Sequence, residues 1–326
     1  IGLDMTRRVR FRIVDGGNRP VHDAVLTLVG QGFHVRGRTH GDGYWDFFPG
    51  LNAPQAAGPT TMYIQAAGQT AQAVVQIPPH GDGRDIFIRL PQAVAVSAPV
   101  LDLAVLVDVT GSMSDELRYV NEEVVGIVQR VREAVPRVAV RVGATFYRDR
   151  GDAIPVEQIP FSTDIRTFVA RMRYVEATGG GDYPEDVNLG LAAALTTLNW
   201  STTPAVRVLV VIADAPPQMY PDFPYTYHHA MADASRRGIR ILPVAASGAN
   251  RVVEFLFRAM GTYTSTPYVY LTDDSGVGGS HMEADTESIS VEMFSDCLTR
   301  LLIADLQGFG MHEPNQPQYG IGGQLQ

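Results

Sequence analysis

The stretch that most limits what this chain can fold into is Leu103-Ala104-Val105-Leu106-Val107-Asp108-Val109-Thr110-Gly111-Ser112, where an unbroken apolar run ends in an acid, two hydroxyls and a glycine. A strand without polar alternation is covered on both faces, as in a parallel sheet layered by helices. Ligands of such open sheets bind beyond the carboxyl ends of the strands, where Asp108, Thr110 and Ser112 fall. Oxygen donors on a tight turn suit a hard divalent cation: magnesium, manganese or calcium.

Composition removes several function classes. All 26 residues counted as Lys or Arg are Arg. P-loop hydrolases, protein kinases, pyridoxal-phosphate enzymes and Ser-Lys hydrolases each need a lysine that is absent here. A net charge of -9 speaks against nucleic acid and anionic membranes as partners. No run approaches the roughly 18 apolar residues of a membrane helix, so no membrane insertion is expected. The single Cys297 excludes an internal disulfide and fits an apolar helical stripe with Phe294, Leu298, Leu301 and Leu302. Arg-only basic usage is what a GC-rich bacterial genome favours. No secretory leader is visible in residues 1–12, but a chain that starts at Ile leaves secretion open. An extracytoplasmic or cell-surface setting is favoured over a cytoplasmic one.

Two organisations follow one another along the chain. Short strands are expected at 9–13, 24–29, 32–38, 44–48, 61–65, 71–77 and 85–90, separated by turn chemistry such as Asp15-Gly16-Gly17-Asn18 and Gly41-Asp42-Gly43. Seven strands at this spacing predict an all-β sandwich over 1–98. The proline-bounded stretch 91–99 makes the boundary. From 99 to 307 strands alternate with helices: strands at 101–107, 138–146, 206–213, 239–245 and 268–271, and helices at 114–135, 165–174, 184–198, 223–237, 251–260 and 288–306. That order predicts an α/β, doubly wound, mostly parallel sheet. The tail 308–326 is rich in Gly, Gln and Pro and aperiodic. The pattern Val14-Asp15, Arg19-Pro20-Val21, Ala24-Val25-Leu26, Thr39 and Gly43-Tyr44-Trp45-Asp46-Phe47 resembles the carboxypeptidase regulatory-like, transthyretin-like sandwich.

Three loops at strand ends offer similar donors: Asp108 to Ser112, the Gly-rich loop Ala177-Thr178-Gly179-Gly180-Gly181-Asp182-Tyr183-Pro184-Glu185-Asp186, and Asp214 after Val208-Leu209-Val210-Val211-Ile212-Ala213. Each alone reads as a helix cap or a solvated turn. Together they resemble the von Willebrand factor A family, whose metal-ion-dependent adhesion site is an Asp-x-Ser/Thr-x-Ser motif joined by a Thr and an Asp from two further loops. Phe146-Tyr147-Arg148-Asp149, Gly151-Asp152, Pro160-Phe161-Ser162-Thr163-Asp164, the Gly-rich loop and Ile212-Ala213-Asp214-Ala215-Pro216-Pro217 look most like the non-integrin domains of hemicentin and alpha-kinase-associated type. The resemblance implies that the hydroxyls of Thr110 and Ser112 ligate the metal, that Thr178 supplies a third hydroxyl, and that Asp108 and Asp214 hold metal-bound waters. A shell of neutral hydroxyls leaves the cation electrophilic towards an incoming carboxylate. The implied function is therefore capture of an Asp or Glu of a partner protein, as in adhesion, with no enzymatic activity. A cytoplasmic complex-assembly subunit and a magnesium-dependent hydrolase are the alternatives.

The rival chemistries find weaker support. A haloacid-dehalogenase site needs a second Asp where Thr110 stands. Ser112 is not in a Gly-x-Ser-x-Gly elbow, and Gly111 is not part of Gly-x-Gly-x-x-Gly. Arg150-Gly151-Asp152 spells an integrin-recognition tripeptide but lies inside the family pattern. Asn199-Trp200-Ser201 is a glycosylation sequon only in a secreted eukaryotic protein. His228 and His229 are adjacent and point apart on a helix. Asp182, Glu185 and Asp186 are candidate auxiliary acids, for a second cation or against wrong partners, where the plain reading is solvated acids or a favourable first helical turn.

Overall fold

The computed structural model describes residues 2–81, 85–94, 99–181, 183–271 and 292–311. The first part is two small sheets. Strands β1 (Val9–Val14), β2 (Val25–Gly30), β3 (Phe33–Arg38) and β4 (Tyr44–Phe47) lead to a one-turn helix α1 (Pro49–Asn52), and then to β5 (Gly58–Ala66), β6 (Gln69–Ile77) and β7 (Asp85–Arg89). All seven anticipated strands are present. One sheet is antiparallel in the order β3-β2-β5-β6, and the other is β4-β1-β7, with β1 antiparallel to β4 but parallel to β7. Alternate residues of both, including Phe11, Ile13, Leu26, Leu28, Trp45, Phe47, Met62 and Ile64, meet in one apolar core.

A six-stranded sheet follows in the order β10-β9-β8-β11-β12-β13. Its elements are β8 (Val100–Asp108), α2 (Ser114–Ala134), β9 (Ala139–Tyr147), β10 (Val156–Ser162), α3 (Ile165–Met172), α4 (Val187–Thr196), β11 (Val206–Ala213), α5 (Tyr227–Arg237), β12 (Ile239–Ala245), α6 (Arg251–Tyr263), β13 (Val269–Tyr270) and α7 (Phe294–Leu306). Every pairing is parallel except that of β10 with β9. The apolar runs supply both faces. Leu103, Val105 and Val107 pack with Val208, Val210 and Ile212 against α2, α3 and α7, whereas Ala104 and Leu106 pack with Leu209 and Val211 against α4, α5 and α6. Cys297 is buried in the first of these cores.

Two departures from expectation have local causes. Strand β10 was not anticipated: Pro155 and Pro160 interrupt its pattern. As an edge strand it tolerates Pro160, which coincides with a register shift between Ile159 and Ser162. Helix α4 starts at Val187 rather than at 184, because Glu185 forms an isolated bridge with Pro217 and Asp186 caps the helix by accepting from the Leu189 amide at 3.1 Å. Glu185 and Asp186 therefore precede the first turn instead of lying in it. The anticipated helical residues 288–291 and the part 312–326 of the anticipated tail lie outside the described residues; the anticipated strand 268–271 is shorter, and Leu271 follows it, buried.

The two small sheets dock on the end of the large sheet where its central strands begin. Arg207, near the start of β11, reaches Asp23 at 2.8 Å. Arg240, near the start of β12, pairs with Asp42 and with Asp305 of α7, both at 2.9 Å. Trp45 Nε1 donates to Ser235 Oγ at 2.8 Å, Tyr263 donates to Asn52 at 2.7 Å, and Ser265 donates to Asp46.

Candidate functional site

The other end of the sheet holds the candidate site. Strand β8 is flanked by β9 on one side and β11 on the other, so the chain leaves β8 in one direction and returns on the opposite side. That reversal opens a crevice at the carboxyl ends of β8 and β11, where Asp108 and Asp214 lie.

Asp108 is fully buried. One carboxylate oxygen accepts from the Thr110 amide at 2.9 Å and from the Thr110 hydroxyl at 2.7 Å; the other accepts from Tyr147 OH at 3.0 Å. Tyr147 reaches it because α4 comes close: a Cβ on Gly190 would stand 2.6 Å from the Tyr147 ring. Ser112 donates to Asp214 at 2.7 Å, which joins the first and third loops. The second loop is tied to the first by Gly111 N–H to the Gly179 carbonyl at 3.1 Å and Thr178 N–H to the Val109 carbonyl at 2.9 Å. Buried Arg148 clamps it from below, donating to the carbonyls of Thr178, Ile154 and Glu176. Thr178 itself is exposed at the mouth.

Two further acids close in, and one was not anticipated. Glu185 is 5% exposed, and its Oε2 is buried with no hydrogen-bond partner. A Cβ on Gly180, whose φ is +74°, would stand 2.8 Å from Glu185 Oε1 and 2.9 Å from Thr110 Cβ, so this glycine lets the carboxylate approach the first loop. Glu116, in the first turn of α2, is also buried; its Oε1 accepts from Ser247 and its Oε2 has no partner. The sequence carried a signal for it. Glu116 falls three residues after Met113 and four before Val120, on the apolar stripe of its helix, where a charge needs a reason.

The remaining candidates divide. Asp186 is occupied, capping α4 and receiving Arg150 Nε at 3.0 Å. Asp182 lies outside the described residues. Arg150 also bonds Asp222 and stacks over Tyr220 and Phe223 at 4.0 and 5.0 Å, so Arg150-Gly151-Asp152 is an internal brace and not a displayed tripeptide. His228 and His229 stack on Tyr227 and Tyr225 respectively.

Burial sets the electrostatics. It pushes Asp108 up to about 6 against the hydrogen bonds from Thr110, with neighbouring Asp214 adding to the rise. Glu185 rises to about 8 for the same reason, reinforced by Asp108, Asp149, Asp152 and Asp214. Asp214 is also raised by burial, and Tyr147 is pushed well above its usual range. None of Asp108, Glu116, Glu185 and Asp214 has an ion-pair partner among the described residues. Three His, Cys, Asp or Glu side chains do not converge as a metal-binding set among those residues. The convergent donors are instead two hydroxyls backed by carboxylates, with an orphaned carboxylate oxygen beside them. Such an oxygen-only set, rich in uncompensated negative charge, fits a hard divalent cation.

A von Willebrand factor A domain family model matches residues 102–276, more than half of the chain, and spans all three loops. The chain belongs to this family. Among curated relatives of this von Willebrand factor A protein, the ariadne-like RING finger protein R811 of Acanthamoeba polyphaga mimivirus is 30% identical over 118 residues, 36% of this chain and 11% of the relative. The alpha-protein kinase vwkA of Dictyostelium discoideum is 28% identical over 152 residues, 46% of this chain and 23% of the kinase. The chain thus spans only a minor part of either relative. Among solved structures, the conserved hypothetical protein BatB of Bacteroides thetaiotaomicron aligns with TM-score 0.39 and 12% identity over 53% of this chain and 90% of that one. The open conformation of the pilus adhesin SpaC of Lactobacillus rhamnosus GG aligns with TM-score 0.42 and 12% identity over 78% of this chain and 32% of that one.

Proposed function

We propose that this protein binds a divalent cation, magnesium first, at the crevice between β8 and β11, and uses it to capture an Asp or Glu of a partner protein. Thr110, Ser112 and Thr178 would supply hydroxyl ligands, and Asp108 and Asp214 would hold metal-bound waters. Glu185 is the auxiliary acid best placed to join them. The cation would supply a positive centre for the partner's carboxylate where the described residues supply none. The observation that carries this reading is the burial of four carboxylates around two hydroxyls with no arginine or histidine paired to them among the described residues. Leaving such charges unpaired in a low-dielectric interior is costly, and a cation relieves the cost.

A binding role suits the chemistry better than catalysis. Ser112 donates to Asp214, which this reading assigns to a metal-bound water, and no histidine pairs with Ser112 among the described residues. The proposed organisation is a carboxypeptidase regulatory-like sandwich over 1–98, a von Willebrand factor A domain over 99–307 and a tail over 308–326. Calorimetric titration of Mg²⁺ and Mn²⁺ into the wild type and Asp108→Ala tests the reading: the wild type binds one cation and the variant binds much more weakly. Equal heats from both would sink it.

A further inference from the structure

We infer that Tyr183 reads the residue beside the captured acid, and that the partner carries arginine there; this rests on the cation-capture reading above. The mouth of the site is ringed by Gly111, Gly179, Gly180, Gly181 and Gly248, all exposed. These positions offer backbone and no side chain, so they cannot discriminate what flanks an incoming carboxylate. Tyr183 is the large side chain among the described residues at this mouth, and it is 50% exposed.

Its ring is held, not loose. The hydroxyl donates to the Asp214 carbonyl at 3.4 Å, and the Asn250 amide faces the same oxygen. The ring therefore bridges from the Gly-rich loop to the loops after β11 and β12, fixed at its far end and half exposed. A tyrosine pinned in this way gives contact area at little further entropic cost.

Charge selects the partner side chain. Asp149 and Asp152 bring negative charge to the mouth: Asp152 accepts from the Gly180 amide at 3.3 Å, and Asp149 accepts from Tyr220 OH, a neutral donor that leaves its charge in place. The arginines nearby are spent: Arg148 on carbonyls, Arg150 on Asp186 and Asp222. A partner that brings an acid to a chain of net charge -9 gains from a basic neighbour to that acid. Arginine fits better than lysine, because its planar guanidinium stacks on an aromatic face, as Arg150 does over Tyr220 at 4.0 Å.

Selection from a displayed library of random dodecapeptides, bound in Mg²⁺ and eluted with chelator, tests this with wild type and Tyr183→Ala side by side. Wild type enriches peptides with Asp or Glu and an arginine within two positions. Tyr183→Ala keeps the acid, loses the arginine bias and binds a wild-type-selected peptide about three- to tenfold more weakly, with unchanged Mg²⁺ heats. An acid enriched without a basic neighbour, or equal peptide affinity in both proteins, overturns the inference and leaves cation capture standing. No chelator-sensitive enrichment in the wild type overturns cation capture, and this inference with it.

Discussion

The two ends of the six-stranded sheet bury acids in opposite ways. Where the strands begin, Asp23, Asp42 and Asp305 meet Arg207 and Arg240, and Asp46 lies between Arg8 and Arg10. Burial alone would raise Asp46, but the two arginines hold it well below the usual carboxylate range. Where the strands end, Asp108, Glu116 and Asp214 accept from hydroxyls or amides, Glu185 keeps a carboxylate oxygen without a partner, none of the four meets an arginine or histidine among the described residues, and burial drives Asp108 and Glu185 upward. The same cost of desolvation is met at one end by the chain and left open at the other. A closed network joins two layers; an open one is where the proposed cation would sit.

The hardest way to break this contrast is at the closed end. Arg240→Met strands Asp42 and Asp305 in the interior and is expected to cost about 3–5 kcal/mol in urea denaturation, with no rescue by Mg²⁺. A loss under about 1 kcal/mol would mean that the two layers are joined by something else. At the open end the sign differs: Asp108→Asn removes a buried charge, so the metal-free protein keeps its melting temperature or gains. The wild type gains about 2.7 kcal/mol from Mg²⁺ at a hundred times its dissociation constant, and Asp108→Asn shows no such gain in thermal melts.

Acidity separates the ends next. Asp108 and Glu185 move from 3.8 and 4.5 up to about 6 and 8 on folding, so the folded chain binds the extra protons. Their contribution to metal-free stability is full below the unfolded values and is lost as pH rises through 6 and then 8. Asp46, held low, contributes above 3.8 and fails as the solution becomes more acid than that. With chelator present, melting temperature should fall less steeply between pH 5 and 8 in Glu185→Gln than in wild type, and saturating Mg²⁺ should remove the difference in slope. The smallest effect is expected from Trp45→Phe, which loses the bond to Ser235 for about 1 kcal/mol and leaves Mg²⁺ binding untouched.

Most of the framework was legible because it is written locally. Apolar runs gave β8, β11 and β12, period-two alternation gave the small sheets, and strand-end acids gave Asp108 and Asp214. The docking of the layers was harder to see, yet Arg207 and Arg240 each interrupt an apolar run, Val206-Arg207-Val208 and Ile239-Arg240-Ile241, and a charge inside a doubly covered strand calls for a buried partner. What stayed hidden depends on distant segments meeting. Tyr147 reads as the residue after a strand until α4 brings Gly190 against it, and Glu116, marked in the sequence only by its place on an apolar stripe, has no visible partner until Ser247 arrives from the loop after β12. Strand β10 was concealed by prolines that only its edge position permits.

Strand β11 begins beside Arg207, bound to the small sheets, and runs out at Asp214, bound to Ser112. Its eight residues span roughly 26 Å at about 3.3 Å each. A pull on a ligand held beside Asp214, resisted at the docked layer, would run lengthwise along this strand. The ladders to β8 and β12 would then be loaded in shear, many bonds sharing the force at once instead of opening one after another. On the proposed function, the strand that positions the acid would also be the tie-rod between the binding site and its mount.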